Sequence, residues 1–187
     1  MVDLLRRAGL LAMAMLPSAA TNGFAQTGHS AYDFSFDRLE GGPLPLSEFR
    51  GRVLLVVNTA SFCGFTPQYA ALQRLHDRMA GRGLTVVGVP SNDFNQESTD
   101  AKRIRDFCDA NFGITFPMTA LARVRGDGAH AFFAWAAREA GPVRWNFHKY
   151  LVGRDGRRIQ GFPTQAAPDS PAMARAIEAA LAAPAGS

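Results

Sequence analysis

Two short runs along the chain are almost entirely apolar and rich in β-branched residues. They cover residues 53–58 and 84–89, and Pro90 closes the second run. Continuous runs of this kind are typical of strands buried on both faces of a sheet. Between them, apolar residues recur three or four positions apart, which predicts a helix over residues 67–79. The order predicts a strand–helix–strand unit with a right-handed crossover.

Turn signals and helical spacing place the other elements. Strands are predicted over residues 32–36, 145–152 and 158–162, the last two joined as a hairpin by the turn at residues 155–156. Helices are predicted over residues 99–111, 129–140 and from Ser170 onward. Strands that alternate with helices and end in a hairpin and a helix predict an α/β fold. We expect a central mixed sheet flanked by helices on both faces, an outline that fits a thioredoxin-like fold.

The N-terminal residues differ in character from the rest of the 187-residue chain. Arg6 and Arg7 precede an apolar run at residues 10–16, and a small, polar stretch ends at Ala25. This pattern is typical of a secretory signal peptide, and the run is far shorter than the about 20 residues that span a bilayer. We predict a signal peptide over residues 1–25, one domain over residues 26–187, and export to the periplasm.

The net charge and the positions of the cysteines limit the kinds of binding site that we expect in this chain. The formal net charge of +4 is too mild to indicate nucleic-acid binding, and the basic clusters at residues 102–105 and 154–158 are interpreted as solvated faces. Cys63 and Cys108 lie far apart in sequence and the four histidines are scattered, which does not match the paired ligands of a zinc site. We predict no metal and no cofactor.

The candidate nucleophile is Cys63, which follows the first buried strand and precedes the predicted helix. Thr66 and Pro67 fit the N-cap and first position of that helix. Backbone N–H groups at a helix start are unpaired and carry partial positive charge, which favours a nearby thiolate. A free cysteine is often only a small buried hydrophobe, but this position favours the catalytic interpretation.

Four ordered segments carry a family pattern: residues 58–69, 90–97, 112–117 and 145–150. Together they closely resemble the glutathione peroxidase family, from about Tyr32 to the last helix. The resemblance implies a thioredoxin-like fold and peroxidase activity. It also implies a set of catalytic residues, namely Cys63, Gln96, Trp145 and Asn146.

The chemistry of these side chains supports the implied roles. An indole N–H and amide NH₂ groups are hydrogen-bond donors, so they stabilise a thiolate without a proton-transferring base. They also stabilise charge on the departing peroxide oxygen. Taken singly, Trp145 fits a core aromatic, Asn146 a turn residue and Gln96 a solvated amide. Lys149 could add positive potential, although a surface lysine is the simpler interpretation.

Cys108 resembles the resolving cysteine of the branch that uses thioredoxin in place of glutathione. In the implied mechanism the Cys63 thiolate attacks the peroxide O–O bond. One oxygen stays on Cys63 as a sulfenic acid, and the other is released as water or an alcohol. Cys108 condenses with the sulfenic acid, and a thioredoxin-like dithiol or glutathione reduces the disulfide. Because bridged cysteines need Cα atoms within about 7 Å, the helix around Cys108 should loosen after oxidation. A buried, inert Cys108 is the alternative.

Some positions depart from the commoner family pattern. Ser91 stands where many relatives have cysteine, Asp93 replaces a frequent glutamine, and Asn95 stands where a glycine and a further residue are expected. Gln96 follows this shortened loop.

The link between residues 140 and 145 is short where tetrameric relatives carry an insertion. The resemblance therefore implies a monomer or weak dimer with an open site. Such a site would admit hydrogen peroxide and bulky organic or lipid hydroperoxides, including those at a membrane surface. The competing interpretation is a catalytically silent thioredoxin-fold binding module with a structural disulfide. A disulfide reductase is disfavoured because the chain has no Cys-x-x-Cys motif.

Overall fold

A computed structural model describes residues 29–185. The predicted signal peptide over residues 1–25 and the first residues of the predicted domain lie outside this range. No helix within residues 29–185 is long and apolar enough to cross a membrane.

Six strands and four α-helices form within the described residues. The strands are β1 (Ser35–Asp37), β2 (Pro43–Pro45), β3 (Val53–Thr59), β4 (Leu84–Pro90), β5 (Lys149–Val152) and β6 (Ile159–Phe162). The helices are α1 (Gln68–Met79), α2 (Ala101–Phe112), α3 (Ala131–Ala140) and α4 (Pro171–Ala182). The main sheet has the order β4-β3-β5-β6, and β1 and β2 form a separate antiparallel pair.

The main sheet is mixed, as predicted. Strand β3 is parallel to β4, with Val53 opposite Leu84, and antiparallel to β5, with Val56 opposite Tyr150. All residues of β3 and β4 are buried, which agrees with their continuous apolar sequences. Pro90 ends β4, which is an outer strand of the sheet. Proline lacks an N–H, and an outer strand tolerates this because one of its sides makes no hydrogen bonds to a neighbouring strand of the sheet.

Helices cover both faces of the sheet, as the sequence predicts. Buried side chains of α1, α2 and α4 pack on one face with alternate residues of β3, including Leu55 and Val57. Helix α3 packs on the other face with Leu54 and Val56. The alternation of side chains along β3 therefore divides the core into two layers.

Two predicted strands are shorter than expected. Residues 31–33 form a 3₁₀-helix because the Ser30 N–H donates to Asp33 Oδ2 at 2.8 Å, so the strand begins only at Ser35. The predicted strand over residues 145–152 begins at Lys149, since a turn occupies residues 145–148. Phe147 has a φ of 60° in this turn, a left-handed conformation that bulky residues rarely adopt.

Candidate active site

A closed turn between β3 and α1 holds Cys63. The Cys63 N–H donates to Thr66 Oγ1 at 3.0 Å, and the Thr66 hydroxyl donates to the Ala60 carbonyl at 2.9 Å. The expectation that Thr66 caps a helix starting at Pro67 is therefore wrong. Helix α1 begins at Gln68, and the Thr66 side chain points back to brace the turn.

The amide that reaches the sulfur belongs to this turn and not to the helix. The Phe65 N–H donates to Cys63 Sγ at 3.4 Å, which corrects the expectation of helix amides at the thiol. Cys63 is 7% exposed, whereas its neighbour Phe62 is 67% exposed. The sulfur thus lies just below the surface, beside an apolar side chain that faces solvent.

The polar loop after β4 lies against the same turn. The Phe62 N–H donates to the Gln96 carbonyl at 3.0 Å, which fixes the backbone of Gln96 next to Cys63. Asn95 precedes it with a φ of 56°, the left-handed region that asparagine tolerates better than most residues. Asn95 thus adopts a left-handed backbone conformation at the position where a glycine was expected.

The turn at residues 145–148 is fastened to the end of β3. Asn58 Nδ2 donates to the Trp145 carbonyl at 3.2 Å, and the Phe147 N–H donates to the Asn58 carbonyl at 2.7 Å. Asn146 is fully buried, and its Nδ2 donates to Gln96 Oε1 at 2.9 Å. The structure therefore joins two of the predicted site residues directly, although they lie 50 positions apart in sequence.

Trp145 lies at the surface and not in the core. It is 40% exposed and packs on Phe94 with ring centroids 4.9 Å apart, so the core interpretation is wrong. Within residues 29–185, no side-chain hydrogen bond from Trp145, Gln96 or Asn146 ends on the sulfur of Cys63. In this state the turn amide of Phe65 is the donor to the sulfur.

Lys149 is buried, which corrects its interpretation as a surface lysine. Its Nζ donates to Gln68 Oε1 at 2.6 Å and to the carbonyls of Phe147 at 2.8 Å and Thr164 at 3.3 Å. The Thr164 hydroxyl in turn donates to the Asn146 carbonyl at 2.7 Å. This network ties the start of α1 to the Asn146 turn. The available sequence signal was a lysine inside the strand predicted over residues 145–152, directly before its apolar end.

Burial lowers the pKa of Lys149 to about 7. The folded state then binds a proton less tightly than the unfolded chain, where the lysine pKa is about 10.4. The stability contribution of this group therefore rises as pH increases from about 7 to about 10, by up to about 4 kcal/mol. We expect urea unfolding of wild type and Lys149→Met to show this rise in their free-energy difference. Parallel pH profiles would contradict it.

Cys108 lies on the buried side of α2 and is 2% exposed. Burial raises the pKa of its thiol to about 11, with further increases from the charges of Glu97 and Asp109. Both cysteines are free thiols and belong to the same apolar cluster. Glu97 is a residue that sequence reasoning missed: it is 6% exposed, and burial raises its pKa. A carboxylate directly after a predicted site residue was the available signal.

Comparisons with known proteins agree with this architecture. The family model described as glutathione peroxidase matches residues 31–137. A hydroperoxy fatty acid reductase from Synechocystis is 40% identical over 157 residues, covering 78% of this chain and 93% of the relative. The thioredoxin/glutathione peroxidase BtuE of Escherichia coli is 36% identical over 170 residues, covering 77% and 93%.

A solved structure supports the fold. The crystal structure of Trgpx in its apo form aligns with a TM-score of 0.69 at 31% identity, covering 84% of this chain and 99% of the other. The predicted thioredoxin-like fold and peroxidase activity are confirmed. From its sequence, fold and relatives, this chain belongs to the glutathione peroxidase family.

Proposed function

We propose that this peroxidase reduces hydrogen peroxide and organic or lipid hydroperoxides through Cys63, aided by Gln96, Trp145 and Asn146. The observation that carries the proposal is the hydrogen bond from Asn146 Nδ2 to Gln96 Oε1 at 2.9 Å. It holds two amide side chains together beside the turn that presents the thiol. Because Asn146 engages the carbonyl end of Gln96, the NH₂ end is left to donate to a thiolate or a peroxide oxygen.

The first step is attack of the Cys63 thiolate on one peroxide oxygen. The S–O bond forms as the O–O bond breaks, and the departing oxygen takes up a proton to leave as water or an alcohol. The Phe65 N–H, 3.4 Å from the sulfur, supports the anion before attack. Amide and indole donors then stabilise charge that develops on the departing oxygen.

Cys108 then attacks the sulfenic sulfur of Cys63. The S–S bond forms, the S–O bond breaks, and the oxygen leaves as water. Since Cys108 is buried in α2, this step needs α2 to loosen. A thioredoxin-like dithiol or glutathione then reduces the disulfide, and the relative named thioredoxin/glutathione peroxidase supports both classes of reductant.

The rim of the site supports bulky substrates. Phe62, which directly precedes Cys63, is 67% exposed, and Trp145 is 40% exposed. Exposed aromatic side chains next to a nucleophile favour hydroperoxides with long apolar groups. The similarity to a hydroperoxy fatty acid reductase points to the same substrate class, at a membrane surface or in solution.

Export and assembly are further parts of the proposal. The signal pattern supports a periplasmic protein processed after Ala25, which cell fractionation with N-terminal sequencing would test. The short link of residues 141–144 after α3 supports a monomer or weak dimer. Size-exclusion chromatography with light scattering would test that part.

A double-mutant cycle on Gln96 and Asn146 tests the proposed site. We expect Gln96→Ala and Asn146→Ala each to slow the second-order reaction with hydrogen peroxide by about tenfold to hundredfold. The double variant should be slower than either, but by less than the product of the two losses, because Asn146 also orients Gln96. Stopped-flow peroxide consumption by the reduced protein gives these rates. The exposed Gln160→Ala is the matched control, and equal rates in all variants would refute the site.

A further inference from the structure

Three successive backbone carbonyls, those of residues 145–147, accept hydrogen bonds from side chains outside their turn. The first accepts from Asn58 Nδ2 at 3.2 Å, the second from the Thr164 hydroxyl at 2.7 Å, and the third from Lys149 Nζ at 2.8 Å. Phe147 has a φ of 60° in this turn, and a bulky residue keeps such a conformation only where its surroundings hold it. The three donors therefore supply support that the turn's own sequence does not.

The side chain of Asn146 depends on this support for its position. It is fully buried, and its Nδ2 donates to Gln96 Oε1 at 2.9 Å. Its Oδ1 has no hydrogen-bond partner within residues 29–185. Because only the NH₂ end of the amide is bonded, the side chain takes its position largely from its own backbone. The Asn146 carbonyl is the backbone group that Thr164 holds.

Thr164 also connects this turn to the one that holds Cys63. It lies after β6 and is 3% exposed, and its carbonyl accepts from Gln68 Nε2 at 2.8 Å. Gln68 is the first residue of α1, and its N–H donates to the Phe65 carbonyl at 2.9 Å. The Phe65 N–H in turn donates to Cys63 Sγ. Thr164 thus belongs to a continuous series of contacts between the sulfur and the turn at residues 145–148.

We propose that Thr164 is a positioning residue for the reaction with peroxide. Its hydroxyl sets the place of Asn146, and thereby of the Gln96 amide, beside the nucleophile. This inference rests on the roles proposed above for Asn146 and Gln96. A hydrogen bond weakens steeply as its length and angle depart from the optimum, so a small displacement of the Gln96 NH₂ group weakens its support of a thiolate or a departing oxygen. Thr164 acts through the Asn146 carbonyl and takes no part in bond making or breaking.

Two substitutions at residue 164 test the role of the hydroxyl. Thr164→Val removes it and nearly keeps the shape of the side chain, whereas Thr164→Ser retains it. We expect Thr164→Val to slow the second-order reaction of the reduced protein with hydrogen peroxide about tenfold. Thr164→Ser should stay within about threefold of wild type. Stopped-flow peroxide consumption gives the rates, and urea unfolding confirms that each variant is folded.

Thr119→Val is the matched control. Thr119 is fully buried, its hydroxyl donates to the Ala120 carbonyl at 2.8 Å, and its N–H donates to the Gly88 carbonyl of β4. Strand β4 lies on the other side of β3 from β5, so this residue is removed from the turn at residues 145–148. We expect Thr119→Val to lower the free energy of unfolding, as Thr164→Val does, without slowing the reaction with peroxide.

A double variant separates positioning from a general loss of structure. If Thr164 acts through Asn146, Thr164→Val should have little further effect on the rate in an Asn146→Ala background. A tenfold loss that persists in that background overturns the inference. A wild-type rate in Thr164→Val, or an equal loss in Thr164→Ser or Thr119→Val, also overturns it.

The Asn146→Ala variant alone tells this inference apart from the proposed function. A wild-type rate in Asn146→Ala overturns both. A slow Asn146→Ala beside a normal Thr164→Val overturns the inference and leaves the proposed function intact. Thr164→Ala removes the hydroxyl without placing a methyl group against the Asn146 carbonyl, and it carries the test if Thr164→Val does not fold.

Discussion

Cys63→Ser should reduce peroxide consumption by at least about a thousandfold. A serine hydroxyl remains protonated at neutral pH and is a far weaker nucleophile toward an O–O bond than a thiolate. The substitution changes one atom in a turn held by the Thr66 hydroxyl and by backbone hydrogen bonds, so we expect the fold to persist. Stopped-flow consumption of one equivalent of peroxide by reduced protein measures the effect, with circular dichroism as the check on folding.

This experiment also separates the enzyme from a silent binding module. Reduced wild type should consume one equivalent within seconds, whereas a module with inert cysteines would consume none. Cys108→Ser is the matched control variant, because it removes the other thiol and keeps Cys63. Peroxide loss that survives in Cys63→Ser would assign the chemistry to another group and remove the basis of the proposed mechanism.

Cys108→Ser should consume the first equivalent of peroxide but lose at least about a hundredfold in turnover with a thioredoxin-like reductant. Without Cys108 no intramolecular disulfide forms, and the sulfenic acid of Cys63 accumulates. A dithiol protein must then attack a largely buried sulfur, since Cys63 is only 7% exposed. Coupled turnover assays with thioredoxin and with glutathione measure the effect.

Mass spectrometry supplies the control for the resolving step. After one equivalent of peroxide, wild type should contain a Cys63–Cys108 link, and Cys108→Ser should contain a trappable sulfenic acid. Wild-type protein that keeps a stable sulfenic acid without the link would show that Cys108 is inert. Full turnover of Cys108→Ser with thioredoxin would lead to the same conclusion.

The fold was predictable where local signals were strong. The β-branched runs of β3 and β4 and the Ser170 cap of α4 mark their elements without tertiary information. The predicted strand bounds were wrong where the local sequence permits more than one backbone conformation. Ser30 and Asp33 draw residues 31–33 into a 3₁₀-helix, and the left-handed Phe147 delays the start of β5. That conformation depends on the contact of Phe147 with Asn58, which the local sequence does not reveal.

The candidate site was predictable only as far as its motifs reach. Ordered segments singled out Cys63, Gln96, Trp145 and Asn146, but not the hydrogen bond between Asn146 and Gln96. Burial of charged side chains was beyond sequence reasoning. Lys149 and Glu97 look like solvated residues in the sequence, and only tertiary packing encloses them.

Helix α2 is held less firmly than α1. It buries only Ile104 and Cys108, whereas α1, of the same length, buries five residues. In an enzyme that resolves through Cys108, catalysis and partial unfolding of α2 become the same event. Segmental opening has a large activation enthalpy, so the overall rate should depend more steeply on temperature than the reaction with peroxide. At lower temperature the sulfenic acid of Cys63 would then persist for longer before Cys108 reacts with it, and more of it would undergo further oxidation.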